Sequence, residues 1–278
     1  MENLIIKTPT KINLGLNILR KREDGYHDIE TFFYPINLFD VLTFSESPEF
    51  HFTCSNPNLD NENNLVIKAK QLLEDKFKMK IKIKIDLQKQ IPVGAGLGGG
   101  SSDAAAALIG MNQLLNLKVD DSVLFNIASK IGADVPFFLN PQPSYAESKG
   151  DYITSIDCKL RHPILIVCPG IHVSTKWAYE NVIPATPTFP LKKLIDDCEL
   201  DFLFMQNKIK NDFEPIVFKE YPEIEEIKKE FYKLGAMFAL MSGSGSTVYG
   251  IFPNIDKAES AKDAFGNKYF NFLHHEPN

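Results

Sequence analysis

Glycine is concentrated in one stretch of this chain, Pro92-Val93-Gly94-Ala95-Gly96-Leu97-Gly98-Gly99-Gly100-Ser101-Ser102-Asp103-Ala104, where five of the 16 glycines fall within seven positions. Glycine permits positive φ and lets backbone N–H groups come close to a ligand, while Ser101, Ser102 and Asp103 suit the first turn of a helix. The expected object is a backbone nest feeding a helix N-terminus. Converging N–H groups and the helix dipole make such a place attractive to phosphate. Glycine alone performs no chemistry, so reacting groups must come from elsewhere. The candidates are Lys11, Asp134 in Gly132-Ala133-Asp134-Val135-Pro136, and a second glycine turn, Ser242-Gly243-Ser244-Gly245-Ser246.

Three familiar nucleotide sites compete for the first loop. Gly94, Gly96 and Gly99 satisfy the G-x-G-x-x-G spacing of a dinucleotide site, but a lone match is weak. That site also needs an acid about 20 positions on, at a strand end, and Asp120 and Asp121 lie in a polar link between two helical patterns. A P-loop would end in Gly-Lys-Ser/Thr, and a protein kinase would carry His-Arg-Asp and Asp-Phe-Gly. Neither is present.

The elements that must position these residues can be read from periodicity. Residues 11–18 alternate, so a strand would bury Ile12, Leu14, Leu16 and Ile18 and turn Lys11, Asn13 and Asn17 to the other face. That face is either an ordinary solvated one or a row of ligand-facing groups with Gly15 leaving room. Asp24-Gly25 is a hairpin-turn signal. Tyr26 and His27 follow it, either as plain surface residues or as a pair able to stack on and hydrogen-bond a planar base.

Thr31 to Phe44 and Phe50 to Cys54 read as strands of an N-terminal sheet. Asn64 is placed to cap a helix that starts at Leu65. Lys80 to Asp86 alternates as a strand and leads through Lys89 into the glycine loop, and a helix is expected from Ser102 to Leu115. A second helix over 121–131 ends at Gly132, followed by Asp134 at a bend and an apolar strand from Pro136. Asp134 is there either a turn residue or a catalytic carboxylate. Residues 146–151 read as a tight loop. Beyond a boundary near 155–163, strands are expected at 164–168, 238–241, 247–252 and 269–273. Helices are expected at 191–197, 211–218, 222–234 and 256–265, an order that suits an α+β sandwich.

The net charge is −6 with mixed signs, which predicts no nucleic-acid or anionic-membrane footprint, so an anionic ligand must be bound locally. The first residues lack the pattern of a signal peptide and no segment is apolar enough to span a bilayer, so a cytoplasmic protein is expected. Cys54, Cys158, Cys168 and Cys198 form no C-x-x-C pair and are expected as buried free thiols.

In kind and order, the motifs Pro92 to Ala107, Gly132 to Pro136 and Met241 to Ser246 resemble those of the GHMP family of small-molecule kinases. Thr10-Lys11-Ile12-Asn13-Leu14 and Asp24-Gly25-Tyr26-His27 are similar to the branch that phosphorylates a hydroxyl of a cytidine-diphosphate alcohol on the way to isoprenoid precursors. The resemblance covers nearly the whole chain. It implies an α+β GHMP kinase fold, with an N-terminal ribosomal-protein-S5-domain-2-like domain over 1–158 and a ferredoxin-like C-terminal domain over 159–278. It also implies a small-molecule substrate, with ATP and Mg²⁺.

By the same resemblance, Asp134 would be the base or orienting carboxylate for the substrate hydroxyl, and Lys11 would stand beside that hydroxyl and the γ-phosphate. Pro92, Val93, Gly94, Ala95, Gly96, Leu97, Gly98, Gly99, Gly100, Ser101 and Ser102 would wrap the ATP phosphates, with Ser101 or Ser102 near the metal. Asn64 and Leu65 would approach adenine, Tyr26 and His27 would hold cytosine, and Asn13 would face the substrate near Lys11. Lys89 would reach adenine or phosphate. The alternatives are a GHMP kinase for mevalonate, homoserine or a sugar, whose substrates carry no base, and a nucleotide-binding protein without catalysis. One departure stands out: Ser148 replaces a glycine usual in that family's Gly-x-Gly-Glu turn.

Overall fold

A computed structural model describes residues 3–194 and 201–275. Along the chain come β1 (Leu4–Lys21), β2 (His27–Glu46), β3 (His51–Cys54), α1 (Leu65–Phe77), β4 (Ile83–Gln88), α2 (Gly99–Leu114) and α3 (Asp121–Ile131). Next are β5 (Ser144–Ser148), β6 (Tyr152–Ser155), β7 (Ile164–Cys168), α4 (Thr175–Asn181), α5 (Phe202–Lys208), α6 (Glu214–Glu220) and α7 (Pro222–Lys233). The last are β8 (Phe238–Met241), β9 (Val248–Ile251), α8 (Ile255–Phe265) and β10 (Phe270–His274). Two compact units share these elements. One consists of residues 1–10, 37–93 and 98–141, the other of 11–36, 94–97 and 142–278, so the expected boundary near 158 falls inside the second.

In the first unit the distal half of β2 pairs antiparallel with β4, Val41 opposite Gln88, and β4 pairs parallel with β3. Leu42, Phe44, Ile83, Ile85 and Leu87 are completely buried, the inward set that alternation demands. Helix α1 starts as expected: Asn64 caps it by accepting from the Val66 N–H at 2.9 Å. Helix α2 packs very closely on β2, since a Cβ at Gly110 would stand 2.3 Å from Phe44 Cζ. The small side chains of Ala104 to Ala107 are all buried on the same helix.

In the second unit the proximal half of β2 pairs with β5, Ile29 opposite Ser148, and β5 forms a hairpin with β6. A separate antiparallel sheet has the order β10-β7-β9-β8. Its apolar side and α4, α6, α7 and α8 enclose a core that includes Phe213, Phe231, Phe252 and Phe265. Gly250 on β9 admits the ring of Phe231, which a Cβ would approach to 2.4 Å.

Several expectations are corrected. The polar face of β1 is not solvated: Lys11, Asn13 and Asn17 are all buried. Residues Pro136–Leu139 form a 3-10 helix instead of a strand, because proline fixes φ in the range a helical turn uses and suits its first position. Residues 146–151 belong to the β5–β6 hairpin, and α2 begins three residues before Ser102. Helices α4 and α5 were not foreseen. Of the helix expected over 191–197, Leu191–Leu194 is a 3-10 turn and the rest lies outside the described residues, as does Cys198. Cys54, half-buried, and Cys158 and Cys168, both buried, are free thiols. No helix among the described residues is long and apolar enough to cross a membrane.

Candidate active site

In the second unit the polar face of β1 meets the middle of the glycine loop. Lys11 Nζ donates to Asn13 Oδ1 at 2.6 Å and to the Gly96 carbonyl at 3.4 Å, and lies 5.1 Å from the centre of the Phe33 ring. Asn13 is oriented in turn by donating to Thr31 Oγ1 at 2.8 Å. The loop is fixed by its two apolar residues: the Leu97 carbonyl accepts from the Lys11 N–H and the Ala95 carbonyl from the Thr247 N–H. Between and beside these anchors, Gly94, Gly96 and Gly98 take φ of 63°, 78° and 72°. Gly96 has a second reason to be glycine, because its missing Cβ would stand 2.1 Å from the Ser242 carbonyl oxygen.

Ser242 accepts from the Asn13 N–H and donates to the Gly96 carbonyl at 2.9 Å, so the second glycine turn is built against the first. Sequence reading missed what holds that turn from behind. The buried Asn211 donates to the Met241 and Gly243 carbonyls at 2.7 and 2.8 Å, and Asp212 accepts from the Ile18 N–H. The available signal was an adjacent Asn-Asp pair ahead of an apolar helix, a place where amide and carboxylate side chains commonly bind backbone.

Tyr26 and His27 occupy different surroundings within this unit. Tyr26 is 57% exposed with Lys149 Nζ 5.0 Å from its ring centre, whereas His27 is buried and stacks on Tyr179 at 5.0 Å and 23°. Burial, helped by the charge of Lys21, holds the imidazole pKa below its ordinary value. The ring is therefore neutral at pH 7, with one nitrogen donating and one accepting. Tyr179, which meets Phe213 edge-on at 4.9 Å, is a second aromatic that sequence reading did not single out. Arg22 braces the turn by donating to Asp24, Asp28 and Ser148 Oγ. Ser148 has φ of 63°, the left-handed geometry for which a glycine is usual.

In the first unit, Gly98 stands at the N-cap position just before α2, and no side chain caps the helix. Its first-turn N–H groups, including that of Ser101, are thus left without intrahelical or capping partners. Gly99, buried, and Gly100, exposed, open the helix, while Ser101 is half-buried. Ser102 differs from Ser101. Its hydroxyl is fully buried and donates to the Pro9 carbonyl while sharing a short hydrogen bond with Thr8, so it ties the helix to β1. Leu65 packs over Gly100, and Asn64 is committed through its cap and a bond to the Leu59 carbonyl. Upstream, Pro92 is half-buried and Val93 is 54% exposed.

Asp134 lies in a turn closed by Val135 N–H donating to the Gly132 carbonyl, and is half-buried. Just before that turn, Lys68 from α1 donates to the Ile131 carbonyl at 2.9 Å. Lys89 is not a free cation beside the loop: it is buried between Asp40 and Asp103. Burial disfavours its charge, but the two carboxylates outweigh that and raise its pKa. Asp103 is pushed up to about 7, first by burial and then by the charge of Asp40, against the pull of Lys89.

Thus Lys11, Asn13 and Gly96 come together in one unit, and Leu65 with Gly100 in the other. Among the described residues, no three His, Cys, Asp or Glu side chains form a cluster able to hold a metal by themselves.

Two family models match the chain: GHMP kinases N terminal domain over residues 64–141 and GHMP kinases C terminal over residues 198–271. A 4-diphosphocytidyl-2-C-methyl-D-erythritol kinase of Chlorobium phaeobacteroides (strain BS1) is 41% identical over 271 residues, covering 95% of this chain and 94% of its own. That of Bacteroides fragilis is 44% identical over 254 residues, covering 89% and 91%. Among solved structures, a 4-(cytidine 5'-diphospho)-2C-methyl-D-erythritol kinase superposes with a TM-score of 0.84 at 33% identity, covering 98% of both chains. A homoserine kinase from Cytophaga hutchinsonii shares the fold alone, with a TM-score of 0.75 at 18% identity over 99% of this chain and 94% of that one. By these matches and the α+β fold they share, the chain belongs to the GHMP kinases, the ATP-dependent small-molecule kinases, within the family of the 4-diphosphocytidyl-2-C-methyl-D-erythritol kinases.

Proposed function

We propose that this enzyme transfers the γ-phosphoryl group of ATP to the 2-hydroxyl of 4-diphosphocytidyl-2-C-methyl-D-erythritol, in the non-mevalonate route to isoprenoid precursors. The observation that carries the substrate is the Tyr26-His27 turn, together with relatives at 41% to 44% identity that are named for that substrate. A neutral imidazole flanked by tyrosines offers one donor, one acceptor and aromatic faces, which suits the mixed edge and planar ring of cytosine. Mevalonate, homoserine and sugars have no ring of that kind to stack. We assign the sequence on either side of residue 158 to two domains, and the two family matches fall one on each side.

In the transfer, the bond from the substrate oxygen to Pγ forms as the bond from Pγ to the β-bridging oxygen breaks, leaving ADP. The hydroxyl proton passes to the carboxylate of Asp134. Lys11, desolvated and held by Asn13 Oδ1, places a fixed positive charge where the transferring group is most negative. Such positioning and electrostatics supply most of the rate in phosphoryl transfer. The backbone of Pro92 to Ser101 cradles the phosphates, with the uncapped N-terminus of α2 adding its dipole. Leu65 and the backbone of Asn64 border adenine, and Asn13 faces the alcohol. Mg²⁺ suits a site with few protein ligands, because it keeps waters and binds largely through substrate phosphates. The half-buried Ser101 hydroxyl is the better placed of the two serines to help hold the ion, which would neutralise phosphate charge there. The compartment we assign is the cytoplasm, in keeping with free thiols at Cys54, Cys158 and Cys168.

A coupled ADP-release assay with the cytidyl alcohol, mevalonate and homoserine tests this assignment. Turnover is expected with the first only; turnover with either of the others in its place would sink it. Asp134→Ala should lower kcat by about a thousandfold or more with a modest change in KM for ATP, and near-normal turnover would remove Asp134 from its role.

A further inference from the structure

The reaction as described leaves one buried group of charges unused. In the first unit, Asp40, Lys89 and Asp103 form an almost fully buried ion triad, with side-chain exposures of 0%, 6% and 4%. Lys89 Nζ donates to Asp103 Oδ2 at 2.7 Å and, by a shorter bond, to Asp40 Oδ2. Asp40 spends its other oxygen on backbone, accepting from the Gln90 N–H at 2.6 Å and the Ile91 N–H at 2.9 Å. Asp103 Oδ1 is buried without a hydrogen-bond partner. A surplus of one carboxylate over one cation is a costly thing to bury, and such groups are poor devices for stability alone.

Their placement suggests what they do. Lys89, Gln90 and Ile91 are the residues just upstream of the glycine loop, and Asp103 is the fifth residue of α2, just downstream of it. The two flanks also touch directly, because a Cβ at Gly99 would stand 2.9 Å from Ile91 Cγ2 and 3.4 Å from Lys89 Nζ. Helix α2 starts without a side-chain cap, and Ser102 ties its first turn to β1 but leaves the other flank of the loop unattached to the helix. A tether from that flank to the next turn steadies the aim of the first-turn N–H groups.

We propose that Asp40, Lys89 and Asp103 are positioning residues, a buried clamp that closes the base of the glycine loop and sets the aim of the α2 N-terminus toward the phosphates of ATP. The clamp rests on the reading of this loop as the nucleotide site. It predicts a selective defect. Cutting the tether lets the uncapped helix end drift, which weakens ATP binding and leaves the cytidyl alcohol's affinity alone.

The test is steady-state kinetics on full-length Asp103→Ala, with thermal unfolding followed in parallel. This variant cuts the link to α2 yet leaves the Lys89–Asp40 pair charge-balanced. KM for ATP should rise on the order of tenfold or more, with KM for the cytidyl alcohol unchanged, and Asp103→Asn, which keeps an oxygen for Lys89, should restore most of it. A lowered melting temperature with wild-type KM for ATP would reduce the triad to a packing feature and overturn the clamp. If Asp103→Ala does not fold, Asp103→Leu, which fills the same space but offers Lys89 no acceptor, is read the same way. A wild-type protein that releases no ADP from ATP with any alcohol would overturn the nucleotide reading and the clamp with it. Normal wild-type turnover beside an unchanged KM in these variants would overturn the clamp alone.

Discussion

Lys11 is buried, and its neighbours include an amide oxygen, a backbone carbonyl and an aromatic ring. Alternation in the sequence said which face of β1 it occupies but could not say what covers that face, since the cover comes from Gly96 and Ser242, far away along the chain. The same limit hid the difference between Ser101 and Ser102, adjacent residues of one type. Only packing against Pro9 and Thr8 shows that one hydroxyl is structural. His27 carries a prediction at this scale. Its folded pKa is held down by burial, so its neutral form dominates from high pH down through the ordinary value of 6.5 and is lost only below that. Any stability linked to it is present above the unfolded pKa and is lost as pH falls through the folded one. KM for the cytidyl alcohol should therefore stay flat from pH 8 to 6.5 and rise below, with an NMR titration of His27 giving a midpoint under 6.5. A midpoint above 6.5 would contradict this.

At the scale of elements, the two glycine turns work as a fitted pair. Gly96 and Gly25 both have positive φ, 78° and 86°, but only the first is hemmed in; nothing lies within 4 Å of a Cβ at Gly25. Gly25→Ala should cost about 1–2 kcal/mol for the left-handed geometry alone. Gly96→Ala adds a collision with the Ser242 carbonyl and should cost at least about 3 kcal/mol, within the range of the larger single-site effects. Urea unfolding of the two variants compares them, and equal losses would show that the turns do not depend on their close approach. Most elements were legible because apolar alternation, a short apolar run or a cap announced them, as at Ile83–Gln88, Ile164–Cys168 and Asn64. The run after Asp134 was misread because a short apolar stretch is ambiguous between strand and helix, and Pro136 decided it. Asn211 was hidden for a different reason. Its partners are carbonyl oxygens some 30 residues downstream, and carbonyls leave no mark in a sequence.

For the whole molecule, ligand linkage offers a measurement that needs no chemistry. Mg²⁺ and ATP at 100 times the dissociation constant should stabilise the fold by about 2.7 kcal/mol, a rise in Tm of roughly 5 °C or more for a chain of this size. A chelator should remove most of that rise, and the cytidyl alcohol should add its own increment. A Tm indifferent to ATP in the presence of Mg²⁺ would count against the site. The outline of the function was legible at this scale because three motifs in a fixed order are a property of the chain as a whole. The wiring of its compact units was not, because it depends on pairing that no single stretch displays.

That wiring has a consequence for how the protein can be handled. The chain passes from one compact unit to the other at residues 10/11, 36/37, 93/94, 97/98 and 141/142. Strands β1 and β2 each belong to both units, and four residues of the glycine loop are counted with the second unit while their flanks belong to the first. No single cut can release either unit as a continuous polypeptide. A cut near residue 158 would leave both sheets whole, β1 to β6 on one side and β7 to β10 on the other, yet it would divide the second unit.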